Sequence, residues 1–170
     1  MENIIDNLLF KPLDAVGFYG HNLLFILTMF LFVTRHRWSW LIIYLLGYYV
    51  NQYLNVTLKL IIQEKRPTNS TNFVPWEYYN NGHQYGMPSG HAQSVFYSLT
   101  FCYWVLRSVE LFYFMIFIVG LTVFQRWKYR KHSILQLCVG GTLGSLFATL
   151  VYFVMDKYKK NGYSIYNVAK

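Results

Sequence analysis

Charge is scarce in this chain. Only 13% of its 170 residues are Asp, Glu, Lys or Arg, against roughly 25% in an average globular domain. So few charges cannot cover a water-facing surface of this size, and the apolar residues fall in long blocks. The chain therefore reads as one integral membrane domain. Acidic residues are the scarcer sign, 7 against 15 Lys and Arg, for a net charge of +8. That excess would suit nucleic acid, but the basic residues lie between or after the apolar blocks, where membrane proteins carry them. No nucleic-acid partner is expected. The two cysteines, Cys102 and Cys138, both sit inside apolar runs and read as packing thiols rather than a disulfide or metal pair. There is no HExxH, no CxxC and no carboxylate cluster. Only Glu64 and Glu77 lie near the polar segments, so neither a catalytic metal nor a cofactor is expected.

What is present is five apolar blocks, and the expected fold is an all-α, polytopic membrane bundle of about five transmembrane helices. Residues 1–12 lack a basic region ahead of an apolar run, which argues against a signal peptide. With Ile4, Ile5, Leu8 and Leu9 on one face they read as a short interfacial helix. The membrane domain is 13–156 and a basic polar tail, expected to fray, is 157–170. Spans are expected over Leu13–Thr34, Trp38–Ile62, Pro88–Arg107, Val109–Phe124 and His132–Met155, each about the length a bilayer core requires. His21 and Asn22 in the first are expected to face the bundle and find partners there. Trp38 and Trp40 read as interfacial anchors. The fourth span is uniformly apolar and reads as a packing helix without chemistry. In the fifth, Gly140-Gly141-x-x-Gly144-Ser145 is a small-residue seam for close helix contact.

Three polar groupings interrupt this pattern. Asn51, Asn55, Lys59 and Arg66 follow in steps of four, four and seven, which keeps them on one helical face. Lipid would leave such a stripe unsatisfied, so it must face protein or water. Pro67 predicts a helix end at Arg66, with Lys59 about 10 Å away along the axis if the helix is continuous. Next comes the polar connection 64–88, with turn chemistry at Thr68–Asn72 and Asn80-Asn81-Gly82, aromatics Trp76, Tyr78 and Tyr79 expected at the interface, and a sequon at Asn69-Ser70-Thr71. It closes on Gly86-Met87-Pro88-Ser89-Gly90-His91. Proline is tolerated in a first helical turn, whose free N–H groups favour an anion. Ser89 adds a donor, Gly90 permits close approach and His91 can move a proton near neutral pH. The third grouping is Arg126–His132, which in isolation reads as a solvated basic turn.

With five spans, the 63–88 connection and the 126–132 turn fall on the same side of the membrane, so Lys59, Arg66, Ser89, His91, Arg126 and His132 can converge. Three cations suit a dianionic phosphoryl group, most of all where charge develops in a transition state, and Arg can hold two oxygens at once. One histidine must attack phosphorus as neutral imidazole while the other protonates the leaving oxygen. Gln136, one turn after His132, is placed to accept its other ring N–H.

Lys59-x6-Arg66-Pro67, Pro88-Ser89-Gly90-His91 and Arg126-x5-His132, in that order, resemble the three-part motif of the type 2 phosphatidic acid phosphatase superfamily, which also includes glucose-6-phosphatases and vanadium haloperoxidases. The resemblance spans residues 51–145. It implies His132 as nucleophile forming a phosphohistidine, His91 as general acid, Gln136 orienting His132, and Lys59, Arg66, Ser89, Gly90 and Arg126 binding phosphate. The common third part begins Ser-Arg and ends in Asp four residues after the histidine, whereas this chain has Gln125 and Gln136. The superfamily core usually has six spans, against five counted here. Gln136, with Tyr85-Gly86-Met87-Pro88-Ser89-x-His91-x-Gln93 and Gly140-Gly141, is most similar to the dolichyl diphosphatases. The implied partner is a lipid phosphate in the bilayer, and the implied activity is hydrolysis of a polyprenyl (dolichyl-type) diphosphate. Phosphatidic acid, a sugar phosphate, or a non-catalytic scaffold or transporter role are the alternatives. On the site's side lie Lys11, Lys65, Lys128, Arg130 and Lys131, and opposite lie Arg35, Arg37, Arg107, Lys157, Lys159, Lys160 and Lys170. That bias favours an active site facing lumen or exterior, in the endoplasmic reticulum or plasma membrane.

Overall fold

The computed structural model describes residues 11–74, 77 and 85–168, with side chains as far as 161. The helices are α1 (Lys11–Thr34), α2 (Trp38–Ile62), α3 (Gly90–Leu106), α4 (Val109–Lys128) and α5 (Ile134–Val168). Among the described residues the only β-pairing is an isolated antiparallel bridge, Lys65 with Tyr85. The all-α bundle expected from the apolar blocks is the fold of the chain. The interfacial helix expected over 1–12 lies outside the described residues except for Lys11 and Pro12, which open α1.

The side-chain distribution is that of a membrane protein. Along α2, Asn51, Asn55 and Lys59 are buried, while Leu46 is 65% exposed, Tyr53 75% and Ile61 70%. Water would favour the reverse; a bilayer favours an apolar outer face with polar groups satisfied inside. Three helices, Lys11–Thr34, Val109–Lys128 and Ile134–Asn161, are long and apolar enough to cross a membrane by length and composition alone. The other two have visible reasons for falling short. The inward stripe lowers the hydropathy of α2, and α3 has 17 residues and buries Gln93, Ser94 and Ser98.

Helix α3 is the centre of the bundle, touching the other four, and its contact with α5 is the most extensive in the molecule. The expected small-residue seam makes that contact. A Cβ at Gly140 would collide with the Ser89 carbonyl, and one at Gly144 with the Gln93 carbonyl. Gly144→Leu is therefore expected to destabilise the protein by about 1–3 kcal/mol or more through overpacking. Thermal unfolding in detergent reads this directly. Gly120→Ala, where an added Cβ meets nothing within 4 Å, is expected to leave the midpoint unchanged or slightly raised.

Several boundaries differ from the sequence expectation, each for a local reason. Helix α2 stops at Ile62 rather than Arg66: Gln63 turns left-handed at φ 53° and its N–H returns to the Lys59 carbonyl. Beyond it the chain must be extended, because the Glu64 carbonyl accepts from Gly86 N–H at 2.7 Å and Lys65 bridges Tyr85. Helix α3 begins at Gly90, with Ser89 as its N-cap and Pro88 outside. Helix α4, expected to end at Phe124, runs to Lys128, so Arg126 is on its last turn. Helix α5 begins at Ile134 and continues through the expected tail. Trp40 is buried and stacks on Tyr152 at 5.2 Å instead of joining the exposed Trp38 at the interface. Cys102 packs in the core and Cys138 is exposed. Trp76, Tyr78, Tyr79 and Asn80-Asn81-Gly82 lie outside the described residues.

Candidate active site

The chain alternates direction, so the connection after α2 and the turn after α4 emerge at the same end of the bundle. The last turn of α2 delivers Lys59, whose Nζ donates to the Pro88 carbonyl at 2.7 Å and the Tyr85 carbonyl at 3.2 Å. Asn55 donates to the Gln93 side-chain oxygen at 2.7 Å, and Gln93 donates to the Asn51 backbone and side-chain oxygens at 2.9 Å each. The polar stripe of α2 thus bonds to the first turn of α3 and the segment that precedes it. It fixes the Pro88–His91 segment against Lys59.

Arg66, released from the helix by Gln63, reaches across to the α4–α5 turn. Its Nη1 donates to the Lys131 carbonyl at 2.9 Å and lies 3.3 Å from His132 Nε2. His132 Nδ1 faces the Gly86 carbonyl at 3.0 Å and Gln136 Oε1 at 3.3 Å. Both partners only accept, so Nδ1 carries the proton and Nε2 presents its lone pair. Burial, then the charges of Arg66, Lys59 and Arg126, hold this imidazole well below its ordinary pKa of 6.5, with the Gln136 contact acting in the opposite direction. Gly86 is required here by contact: a Cβ would run into the Gln136 amide.

On the opposite wall, Arg126 Nη1 lies 3.4 Å from His91 Nε2 and its Nη2 is ion-paired with Glu77. Glu77 also lies 3.6 Å from Lys131 Nζ. The edge of His21, from α1, meets the His91 ring at 4.3 Å between centroids.

These walls enclose a cavity of about 710 Å³, lined by Lys59, Arg66, Gly90, His91, Arg126 and His132 among others. Gln136 is buried behind His132, where an orienting group belongs. Ser89 is also behind the wall: fully buried, its hydroxyl oxygen accepts Ala92 N–H at 3.4 Å as the cap of α3. The hydroxyl expected to donate to phosphate thus faces the helix terminus and positions Gly90 and His91. A separate apolar cleft of about 660 Å³, lined by α3, α4 and α5, holds none of the expected residues.

Three further groups belong to this region. His21 and Glu77 line the cavity, and Glu64 holds the Gln136 amide. His21, expected to face the bundle, faces the site; its only sequence signal was a polar residue in an apolar span. Glu77 offered none beyond being one of few acids. Its carboxylate on Arg126 and Lys131 places an anion within the cation cluster.

The model of the PAP2 superfamily matches residues 40–160. Among curated proteins, lipid phosphate phosphatase epsilon 2, chloroplastic, of Arabidopsis thaliana is 30% identical over 115 residues, 63% of this chain and 37% of that protein. Lipid phosphate phosphatase epsilon 1, chloroplastic, of the same plant is 30% identical over 126 residues, 69% of this chain and 42% of that protein. The chain thus spans about two fifths of the length of these relatives. No solved structure matches it.

Proposed function

Because the chain belongs to the PAP2 superfamily, we propose that it is an integral membrane lipid-phosphate phosphatase working through a phosphohistidine, with a polyprenyl (dolichyl-type) diphosphate as substrate. The observation that carries this reading is the cavity itself, lined by two histidines from separate segments together with Lys59, Arg66 and Arg126. The headgroup enters among the three cations, displacing Glu77 from Arg126, and the apolar chain stays in the bilayer. The lone pair of His132 Nε2 attacks phosphorus. The bond from phosphorus to the leaving oxygen breaks, and that oxygen takes the proton of the His91 imidazolium. Water then attacks the phosphohistidine, giving its proton to His91. The P–N bond breaks, returning its electron pair to His132 and releasing phosphate. Arg66 and Arg126 stabilise the equatorial oxygens in both steps. The diphosphate preference rests on the resemblance carried by Tyr85–Met87, Gln93 and Gln136.

Phosphate release by purified protein in chelator tests the reading. A polyprenyl diphosphate is expected to be turned over with a higher kcat/KM than phosphatidic acid or a soluble sugar phosphate. The reverse order would move the substrate to the monoesters, and release from none would remove the phosphatase reading.

The His132 environment also sets a pH expectation. A nucleophile whose folded pKa lies below 6.5 stays neutral as pH falls through that value and is protonated only at more acid pH. The acid limb of kcat/KM, which reports the free enzyme, is expected below pH 6.5. A limb at or above 6.5 would contradict a depressed nucleophile.

A further inference from the structure

The position that carries Asp in the common motif holds Gln136, and among the described residues no carboxylate pairs with His132. The structure places one a single residue further out. Gln136 Nε2 donates to Glu64 Oε1 at 2.7 Å and to the Lys65 carbonyl at 3.0 Å. Its Oε1 faces His132 Nδ1 at 3.3 Å and accepts from Ser133 N–H at 3.2 Å. Donors surround one end of the amide and acceptors the other, so its orientation is determined by its neighbours. We propose that Glu64 is a positioning residue for the His132 chemistry, its negative charge acting on the imidazole through the Gln136 amide.

Two further contacts argue that segment 64–66 is built around His132. The Glu64 carbonyl accepts Gly86 N–H at 2.7 Å, and the Gly86 carbonyl is the closer acceptor for His132 Nδ1. Glu64 therefore holds both partners of that nitrogen, one through its backbone and one through its side chain. Two residues on, Arg66 meets the other ring nitrogen. When Nε2 attacks phosphorus the ring becomes cationic. The positive charges of Arg66, Lys59 and Arg126 act on it, with Arg66 Nη1 at 3.3 Å from Nε2, so that positive charge forms among cations. A polarised amide stabilises it better with a carboxylate behind it than alone, since hydrogen-bonded chains reinforce one another.

The proposal rests on His132 being the nucleophile, and its test separates the two. Glu64→Gln is isosteric and keeps an oxygen acceptor for Gln136 while removing the charge. It is expected to lower kcat roughly 10- to 100-fold, the scale of outer-shell partners of histidine, with KM little changed and the thermal midpoint retained. Adding Gln136→Asp to Glu64→Gln moves the carboxylate onto the imidazole and is expected to restore most of the loss. Gln136→Asp alone, with two adjacent carboxylates, is expected to remain impaired. An independent readout needs no turnover: the His132 ring, followed by NMR, is expected to titrate at lower pH in Glu64→Gln than in wild type. Wild-type kcat in Glu64→Gln, absence of rescue in the double variant, or an unmoved His132 titration would each overturn the role of Glu64. A wild-type protein that releases no phosphate would instead sink the phosphatase reading, with the titration still deciding whether Glu64 acts on His132.

Discussion

Replacing His132 with alanine is expected to lower phosphate release by roughly 10⁴-fold or more, about 5 kcal/mol of barrier, as for other enzymes stripped of a covalent nucleophile. The geometry behind this is the pairing of its two nitrogens. Nδ1 is committed to Gly86 and Gln136, which leaves Nε2 facing the cavity beside Arg66. A phosphoenzyme trapped by rapid quench from labelled substrate, stable to base and labile to acid, is expected in wild type and absent in His132→Ala. His91→Ala gives the complementary result. On the proposed mechanism it loses the proton donor and the group that activates water but keeps the nucleophile. With an activated ester whose leaving group needs no proton, it is expected to form the phosphoenzyme and accumulate it. Undiminished turnover in His132→Ala at an unchanged thermal midpoint would exclude His132 as nucleophile. A phosphoenzyme that persists in that variant would assign the attack to another residue.

The helices and the convergence of the three polar segments were legible because both follow from periodicity. A stripe at Asn51, Asn55 and Lys59 in a lipid-facing helix admits only an inward orientation, and the stripe is buried. Two helices, α3 and α4, separate the 63–88 connection from the α4–α5 turn, which leaves both at one end, and there they meet. What periodicity could not supply were contacts made off the helices. Pro67 sets a helix end at Arg66 in the sequence, but a left-handed Gln63 and the pairing of 64–65 with 85–86 take Arg66 away from the axis and onto His132. Arg126 was assigned to a basic turn, yet α4 holds it on its last turn with its side chain buried. Ser89 caps α3 as an acceptor, its hydroxyl oxygen taking Ala92 N–H, and its burial behind the wall follows from where the helix starts.

The acidic residues are the instructive case. With 7 in the chain, Glu64 and Glu77 were visible as the acids near the site, and both were weighed only as absent metal ligands. Their structural partners are Gln136 in one case and Arg126 with Lys131 in the other. Each offsets a cation-rich site without standing in a motif, because each acts across a distance of many residues in sequence. His21 shows the same limit from α1. An imidazole in an apolar span must find a polar surface, but the sequence does not distinguish a buried helix contact from the wall of a cavity.

Arg126→Lys is expected to lower kcat/KM by roughly 10²- to 10³-fold, the scale of losing one preorganised donor to developing charge, while leaving the protein folded. The substitution keeps a positive charge beside Glu77, whereas Arg126→Ala would leave that carboxylate to Lys131 at 3.6 Å and is expected to cost stability as well as activity. What it removes is the planar fork. In the structure one arm of the guanidinium points at His91 and the other at Glu77, so a single side chain spans the proton donor and the anion position. An ammonium is a compact point charge and cannot address both. The deficit is therefore expected mainly in kcat, because the charge that attracts the ground-state headgroup survives. Vanadate, which adopts the geometry of the transferring phosphoryl group, is expected to lose affinity in proportion to kcat/KM. A variant that binds vanadate as wild type does while turning over slowly would place Arg126 outside the transition state. In that case its role would be to hold Glu77 and His91 in place.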